Sequence, residues 1–203
     1  MSEKPLRVGL YGGAFDPPHR THMALAQVAI EQLQLDVLHI VPTGHAWHKQ
    51  RPLTEARHRL AMCQLAFEGL QKVMIDDRET LRNGPTYTVD TLAELRALYP
   101  EARLFLVMGE DQARALHTWH RASDVGRAAT ICVASRSDSN AASGPAASEI
   151  ALQDAVFQPL HLPPSPMSAT DIRDKAARGE SVAPLVFESV ARYIDRHHLY
   201  QTA

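Results

Sequence analysis

Short apolar runs alternate with longer stretches of helical periodicity along most of the chain. Residues 6–11 (LRVGLY) form an apolar run bounded by turn signals, and residues 21–33 carry apolar side chains at helical spacing, which predicts a strand followed by a helix. Residues 37–41 (VLHIV) predict a second strand that stops at Pro42. Residues 54–70 predict a second amphipathic helix, with Thr54 as its cap and Glu55 in its first turn. A third strand is expected over 73–75, a helix over 88–98, a strand over 104–108 (LFLVM) ending at Gly109, and a fifth strand over 130–134. Residues 156–162 give a last strand. Proline-rich punctuation follows, then a helix opening at Ser168 and a C-terminal helix over 184–197. No internal repeat is present.

Strands that alternate with helices predict a single α/β domain spanning 1–203, a doubly wound parallel sheet with helices on both faces. In such sheets ligands gather outside the carboxyl ends of the strands, where strand order reverses. The glycine turn after the first strand, the HAWHK segment in the loop over 43–52, and Gly109-Glu110-Asp111 after the fourth strand are therefore expected to open onto one crevice. Residues 135–148, rich in Ser, Ala and Gly without periodicity, read as a flexible loop too short to separate domains.

Composition narrows the classes. A chain of 203 residues with 45% hydrophobic and 22% charged residues has enough apolar material for one proper core. The formal charge of −2 lacks the basic excess of a nucleic-acid binder and suits small anionic ligands held in a local positive pocket. Cys63 and Cys132, with no second cysteine at ligand spacing, read as buried apolar residues. The N-terminal MSEKPLRV shows neither a signal peptide nor an apolar anchor, so no membrane partner and a cytoplasmic location are expected.

The densest chemistry lies in residues 12–22 (GGAFDPPHRTH). Glycines at the end of a strand let backbone N–H groups approach an anion, and the helix that follows presents its positive end to the same charge. His19 and His22, three apart at the mouth of that helix, can point their rings the same way. The pattern is neither G-x-G-x-x-G nor a Walker loop. It resembles the signature of the HxGH-motif nucleotidyltransferase superfamily, with Thr21 where that family usually carries glycine. Residues 166–173 (PMSATDIR) resemble the superfamily's Ser-(Ser/Ala)-Thr-x-(Ile/Leu)-Arg motif, in which a serine-capped helix start and an arginine hold the triphosphate of ATP.

Within that superfamily the chain resembles the bacterial nicotinate mononucleotide adenylyltransferase family. The matching residues are His48-Lys49, the run from Arg82 through Gly84-Pro85-Thr86-Tyr87-Thr88 to Asp90-Thr91-Leu92, Gly109 and Asp111, Trp119, and the closing VARYIDRHHLY over 190–200. The resemblance implies a Rossmann-like fold whose C-terminal helical segment, about 166–203, closes the nucleotide site. It implies adenylyl transfer from ATP to nicotinate mononucleotide, with Mg²⁺ carried by ATP and no resident metal. It also assigns roles. His19, His22, Lys49 and Arg173 become catalytic candidates. Gly12, Gly13, Phe15, His19, His22, Gly109, Asp111, Ser168, Thr170 and Arg173 become ATP contacts. Asp16, Lys49, Thr86, Tyr87, Trp119 and Arg136 become contacts of nicotinate mononucleotide. Arg59 matches a family arginine and is read as bracing its helix. Protonation of His19 and His22 is expected to be favoured by the phosphates beside them. A nicotinamide mononucleotide or phosphopantetheine acceptor, nucleotide binding without turnover, and a homo-oligomer stay open.

Overall fold

The computed structural model describes residues 4–44, 52–135, 154–163 and 167–201. Six parallel strands, β1 (Arg7–Gly13), β2 (Val37–Pro42), β3 (Val73–Ile75), β4 (Arg103–Gly109), β5 (Thr130–Ser135) and β6 (Phe157–His161), form one sheet in the order β3-β2-β1-β4-β5-β6. The inner strands are covered on both faces, which is why they read as continuous apolar runs instead of alternating ones. Pro159 is tolerated in β6 because that strand lies at the edge.

Two cores sandwich the sheet. On one face α1 (Arg20–Gln32), α2 (Ala56–Ala66), α7 (Ala169–Ala177) and α8 (Glu188–Arg196) bury Leu25, Met62, Cys63, Ile172 and Val190 against β1, β2, β4 and β5. On the other, α4 (Thr88–Leu98), α5 (Glu110–Ala115) and α6 (Ala122–Ala128) bury Leu92, Leu95, Ala113 and Val125. Both cysteines are buried, and burial pushes their thiols up. No described helix is long and apolar enough to cross a membrane.

The structure departs from the sequence pattern in several places. Gly12 and Gly13 belong to β1, because the ladder with β2 continues through Gly12–Val41 and Gly13–Pro42; the turn comes after them. The second helix starts at Ala56 and not at Thr54. Thr54 is drawn into the loop after β1, donating its N–H to Asp16 at 3.2 Å, and gives α2 no side-chain cap. Residues 183–186 form a turn ahead of α8, whose Leu185 carbonyl accepts from the Arg20 N–H, and Phe187 is the extended N-cap of that helix. Three short helices, α3 (Arg78–Leu81), α5 and α6, are too brief to show a helical period in sequence. The HAWHK segment and most of the loop over 135–148 lie outside the described residues.

One detail of the sheet makes the site. The β1–β4 ladder ends at Leu10–Leu106, whereas the β1–β2 ladder runs on to Gly13 and the β4–β5 ladder to Gly109. The last three residues of β1 and of β4 therefore part at the point where strand order reverses, and a slot opens there.

Candidate active site

The floor of the slot is glycine. Among the described residues, a Cβ added to Gly12 or Gly109 would meet no atom within 4 Å beyond its chain neighbours, so both positions border open space there at the carboxyl end of the sheet. Gly12→Ala is expected to leave the melting temperature within about 2 °C, since it clashes with no described part of the fold. It is expected to cut turnover at least about tenfold by misplacing a reacting group by roughly a methyl's width. A thermal melt beside steady-state kinetics checks both halves.

After the glycines the chain turns inward. Phe15 takes a left-handed φ of 45° and buries its ring against Tyr11, Phe67 and His22, so only its backbone is available to a ligand. Such a conformation costs on the order of 1 kcal/mol and persists because the packing over-determines it. Asp16 is 2% exposed. Its carboxylate accepts from the Tyr200 hydroxyl at 2.7 Å and the Thr54 N–H at 3.2 Å. These two bonds hold the carboxylate within the protein, where a buried charge needs internal donors.

His19 and His22 do come together. Their ring centroids lie 3.8 Å apart with the planes tilted by 34°. His19 precedes α1, its carbonyl accepting from the His22 N–H at 2.9 Å and its own N–H donating to His22 Nδ1 at 3.1 Å. A backbone N–H is only a donor, so Nδ1 of His22 is the acceptor in this bond. Two amides at the start of α1 are engaged inside the protein, Arg20 with Leu185 and His22 with His19. Thr21 lies within the first turn and does not cap it.

The Ser168 helix start lies beside the same loop. Ser168 caps α7 as expected: its hydroxyl accepts from the Asp171 N–H at 3.1 Å and donates to the Asp171 carboxylate at 2.7 Å. That hydroxyl is committed, and the first-turn amides of Ala169 and Thr170 are what a helix start offers an anion. Arg173 joins the segments, donating from Nη1 to the Asp16 carbonyl at 2.9 Å and from Nη2 to Thr170 Oγ1 at 3.0 Å. Asp111 is exposed in the first turn of α5, directly after Gly109.

Thr86 and Tyr87 sit at the start of α4 on a braced platform. Gly84 takes a φ of 92° in the turn before them, which glycine alone adopts freely. Thr91 Oγ1 donates to the buried Glu79 carboxylate at 2.7 Å and accepts from Arg82 at 3.0 Å. Burial pushes the Glu79 carboxyl up against the pull of Thr91 and Arg82. Gly44 is pressed against the Glu79 carbonyl, where a Cβ would stand 1.9 Å away. Trp119 follows a single 3-10 turn (Leu116–Thr118) and packs, half-buried, on the same core as Tyr87. The next residue, His120, stacks on Tyr87 with centroids 4.2 Å apart. Lys49 and Arg136 lie outside the described residues.

Several residues that build the site carry no motif of their own. Arg59, 2% exposed, donates from Nε to the Thr54 carbonyl at 2.8 Å and from Nη1 to the Ala14 carbonyl at 3.0 Å. It ties the approach to its own helix α2, through Thr54, to the loop after β1, through Ala14. Its signal in the sequence is positional: Arg59, Met62, Cys63 and Ala66 fall on the buried stripe of α2, where a charge demands a partner. On β2, His39 Nδ1 lies 2.7 Å from the Asp76 carboxylate, which Arg78 also binds. Burial would raise the Asp76 pKa, and the bonds from His39 and Arg78 outweigh it and hold the carboxyl well below its ordinary range. Among the described residues no three His, Cys, Asp or Glu side chains are grouped to hold a metal ion.

Residues 10–175 match the cytidylyltransferase-like family model. The chain is 54% identical to the probable nicotinate-nucleotide adenylyltransferase of Albidiferax ferrireducens over 97% of its own length and 99% of that protein's. It is 43% identical to the probable nicotinate-nucleotide adenylyltransferase of Methylibium petroleiphilum over 96% of this chain and 92% of the relative. Among solved structures, the Plasmodium falciparum nicotinic acid mononucleotide adenylyltransferase complexed with NaAD shares the fold with a TM-score of 0.79. Sequence identity to it is 16%, and the match covers 96% of this chain and 97% of that one.

Proposed function

From the premise that the chain belongs to the cytidylyltransferase-like family, and within it to the nicotinate-nucleotide adenylyltransferases, we infer that it transfers the adenylyl group of ATP to nicotinate mononucleotide. The products are nicotinate adenine dinucleotide and pyrophosphate, a step of NAD biosynthesis. The observation that carries the reading is the slot at the strand-order reversal, with the His19–His22 pair at its mouth and Arg173 bonded to the same loop.

An acceptor phosphate oxygen attacks the α-phosphorus in line, a new P–O bond forms, and the bond to the β-phosphate oxygen breaks with its electron pair leaving on pyrophosphate. No side-chain nucleophile is required, because positioning and charge stabilisation dominate such transfers. His22 donates through Nε2, and His19 beside it, to oxygens on which negative charge grows. Arg173 and the amides at the start of α7 hold the β- and γ-phosphates, and Lys49 and Arg136 serve as further phosphate partners. Gly12, Gly13 and Gly109 let the nucleotide lie against backbone, and Asp111 accepts from ribose hydroxyls. The segment over 166–203 closes the nucleotide side. A divalent cation, Mg²⁺, travels with ATP as part of that substrate, held by phosphate oxygens and water. On the other side of the slot, the start of α4 at Thr86 and Tyr87 takes the nicotinate carboxylate, and Trp119 gives the pyridine ring a flat face worth about 0.5–1.5 kcal/mol beyond its burial. The partners are small molecules, and the cytoplasm is where the reading places the enzyme.

A pyrophosphate-release assay with nicotinate mononucleotide, nicotinamide mononucleotide and phosphopantetheine offered side by side tests this. The highest kcat/KM is expected with nicotinate mononucleotide. A clear preference for either other acceptor would reassign the substrate, and ATP binding without product from any of them would remove the enzyme reading. Trp119→Ala is expected to raise KM for nicotinate mononucleotide about tenfold with KM for ATP nearly unchanged. Equal rises in both would make Trp119 a packing residue.

A further inference from the structure

Tyr200, near the C-terminal end of the chain, reaches into the centre of the site. Its hydroxyl donates to Asp16 Oδ1 at 2.7 Å, across 184 positions of sequence. The other oxygen of that carboxylate takes the Thr54 N–H, the Asp16 carbonyl takes Arg173, and Arg59 ties the neighbouring Ala14 carbonyl to Thr54. Asp16 is therefore a hub on which four parts of the chain converge: the loop after β1, the approach to α2, the helix α7 and the terminal segment. Tyr200 adopts a left-handed φ of 66°, a conformation that costs energy for a bulky side chain and survives where contacts hold it. Burial, and then the adjoining Asp16 carboxylate, push the phenol above its ordinary range.

We propose that Tyr200 is a positioning residue for the nucleotide site: by holding Asp16 it fixes the backbone carbonyl on which Arg173 rests, and so aims Arg173 at the triphosphate. The terminal segment thereby acts on ATP through two relayed bonds without touching it. The consequence for turnover rests on the adenylyl-transfer reading; the consequence for ATP binding does not.

The test is a double-variant cycle read by calorimetric titration of the full-length protein with ATP, and by kinetics for both substrates. Tyr200→Phe keeps the ring in place and removes only the donor. It is expected to weaken ATP binding about fivefold and to raise KM for ATP in proportion, with KM for nicotinate mononucleotide unchanged within about twofold. Arg173→Ala should weaken ATP more, and the double variant should bind ATP no more weakly than Arg173→Ala alone, because both changes break one relay. Unchanged ATP affinity in Tyr200→Phe, losses that multiply in the double variant, or equal losses for the two substrates would overturn the proposal. Should Tyr200→Phe fail to fold, Asp16→Asn, which keeps an acceptor for the phenol, is expected to bind ATP more tightly than Asp16→Ala; equal affinities would overturn it as well. If the wild-type protein turns over none of the acceptors, the adenylyl-transfer reading falls while the ATP titrations still decide the role of Tyr200.

Discussion

His19→Ala is expected to lower kcat by about 10²–10³-fold while ATP binds with nearly its normal affinity. The magnitude is that of removing one positioned donor from a site of developing charge, where the contact strengthens between ground state and transition state. Two bonds that tie His19 to His22 use the backbone of His19, its N–H to Nδ1 and its carbonyl to the His22 N–H, and survive deletion of the ring. The His19 ring also takes part in the capping box of α1, so a thermal melt of the variant accompanies the kinetics. His22→Ala is a different experiment, since it strips an acceptor from the His19 N–H and mixes local unfolding with lost chemistry. Steady-state kinetics with calorimetric ATP binding checks the prediction, and a variant turning over at near the normal rate would remove His19 from the transfer step.

Arg59→Met is expected to cost about 3 kcal/mol of stability, read from urea unfolding. Methionine suits a helix interior and matches much of the volume, so neither propensity nor a cavity is the cause. The loss comes from two buried carbonyls, Ala14 and Thr54, left without their donor, and from the Asp16 carboxylate left without the guanidinium whose charge it feels. Burial pulls the Arg59 pKa down, and the Asp16 charge opposes that pull. Arg59→Lys is expected to recover only part of the loss, because one ammonium lacks the planar fork that reaches two carbonyls from different segments. A loss below about 1 kcal/mol for Arg59→Met would mean that water or neighbouring donors replace it.

The fold was legible because each inner strand is covered on both faces, and an apolar run bounded by turns is what such burial requires. The histidine pair and Ser168 were legible because their chemistry is local: a strand end, a helix start and a spacing of three residues suffice to bring the two rings to 3.8 Å. The short helices α3, α5 and α6 were not, since fewer than two turns carry no readable period. Thr54 misled for a related reason. A residue suited to capping α2 lies two positions before the helix, where its backbone N–H serves the buried Asp16 carboxylate, which no local pattern announces.

By itself the sequence determined the α/β alternation, the helix starts that bear the two motifs at His19 and Ser168, and the membership that those motifs in order imply. Only the tertiary structure decided which groups Asp16, Arg59 and Tyr200 bond, and that His22 Nδ1 receives the His19 N–H. The reason is that local pattern is set by covalent neighbours and periodicity. A buried charge is instead satisfied by whichever donors folding brings to it, and here those come from residues 38 and 184 positions away.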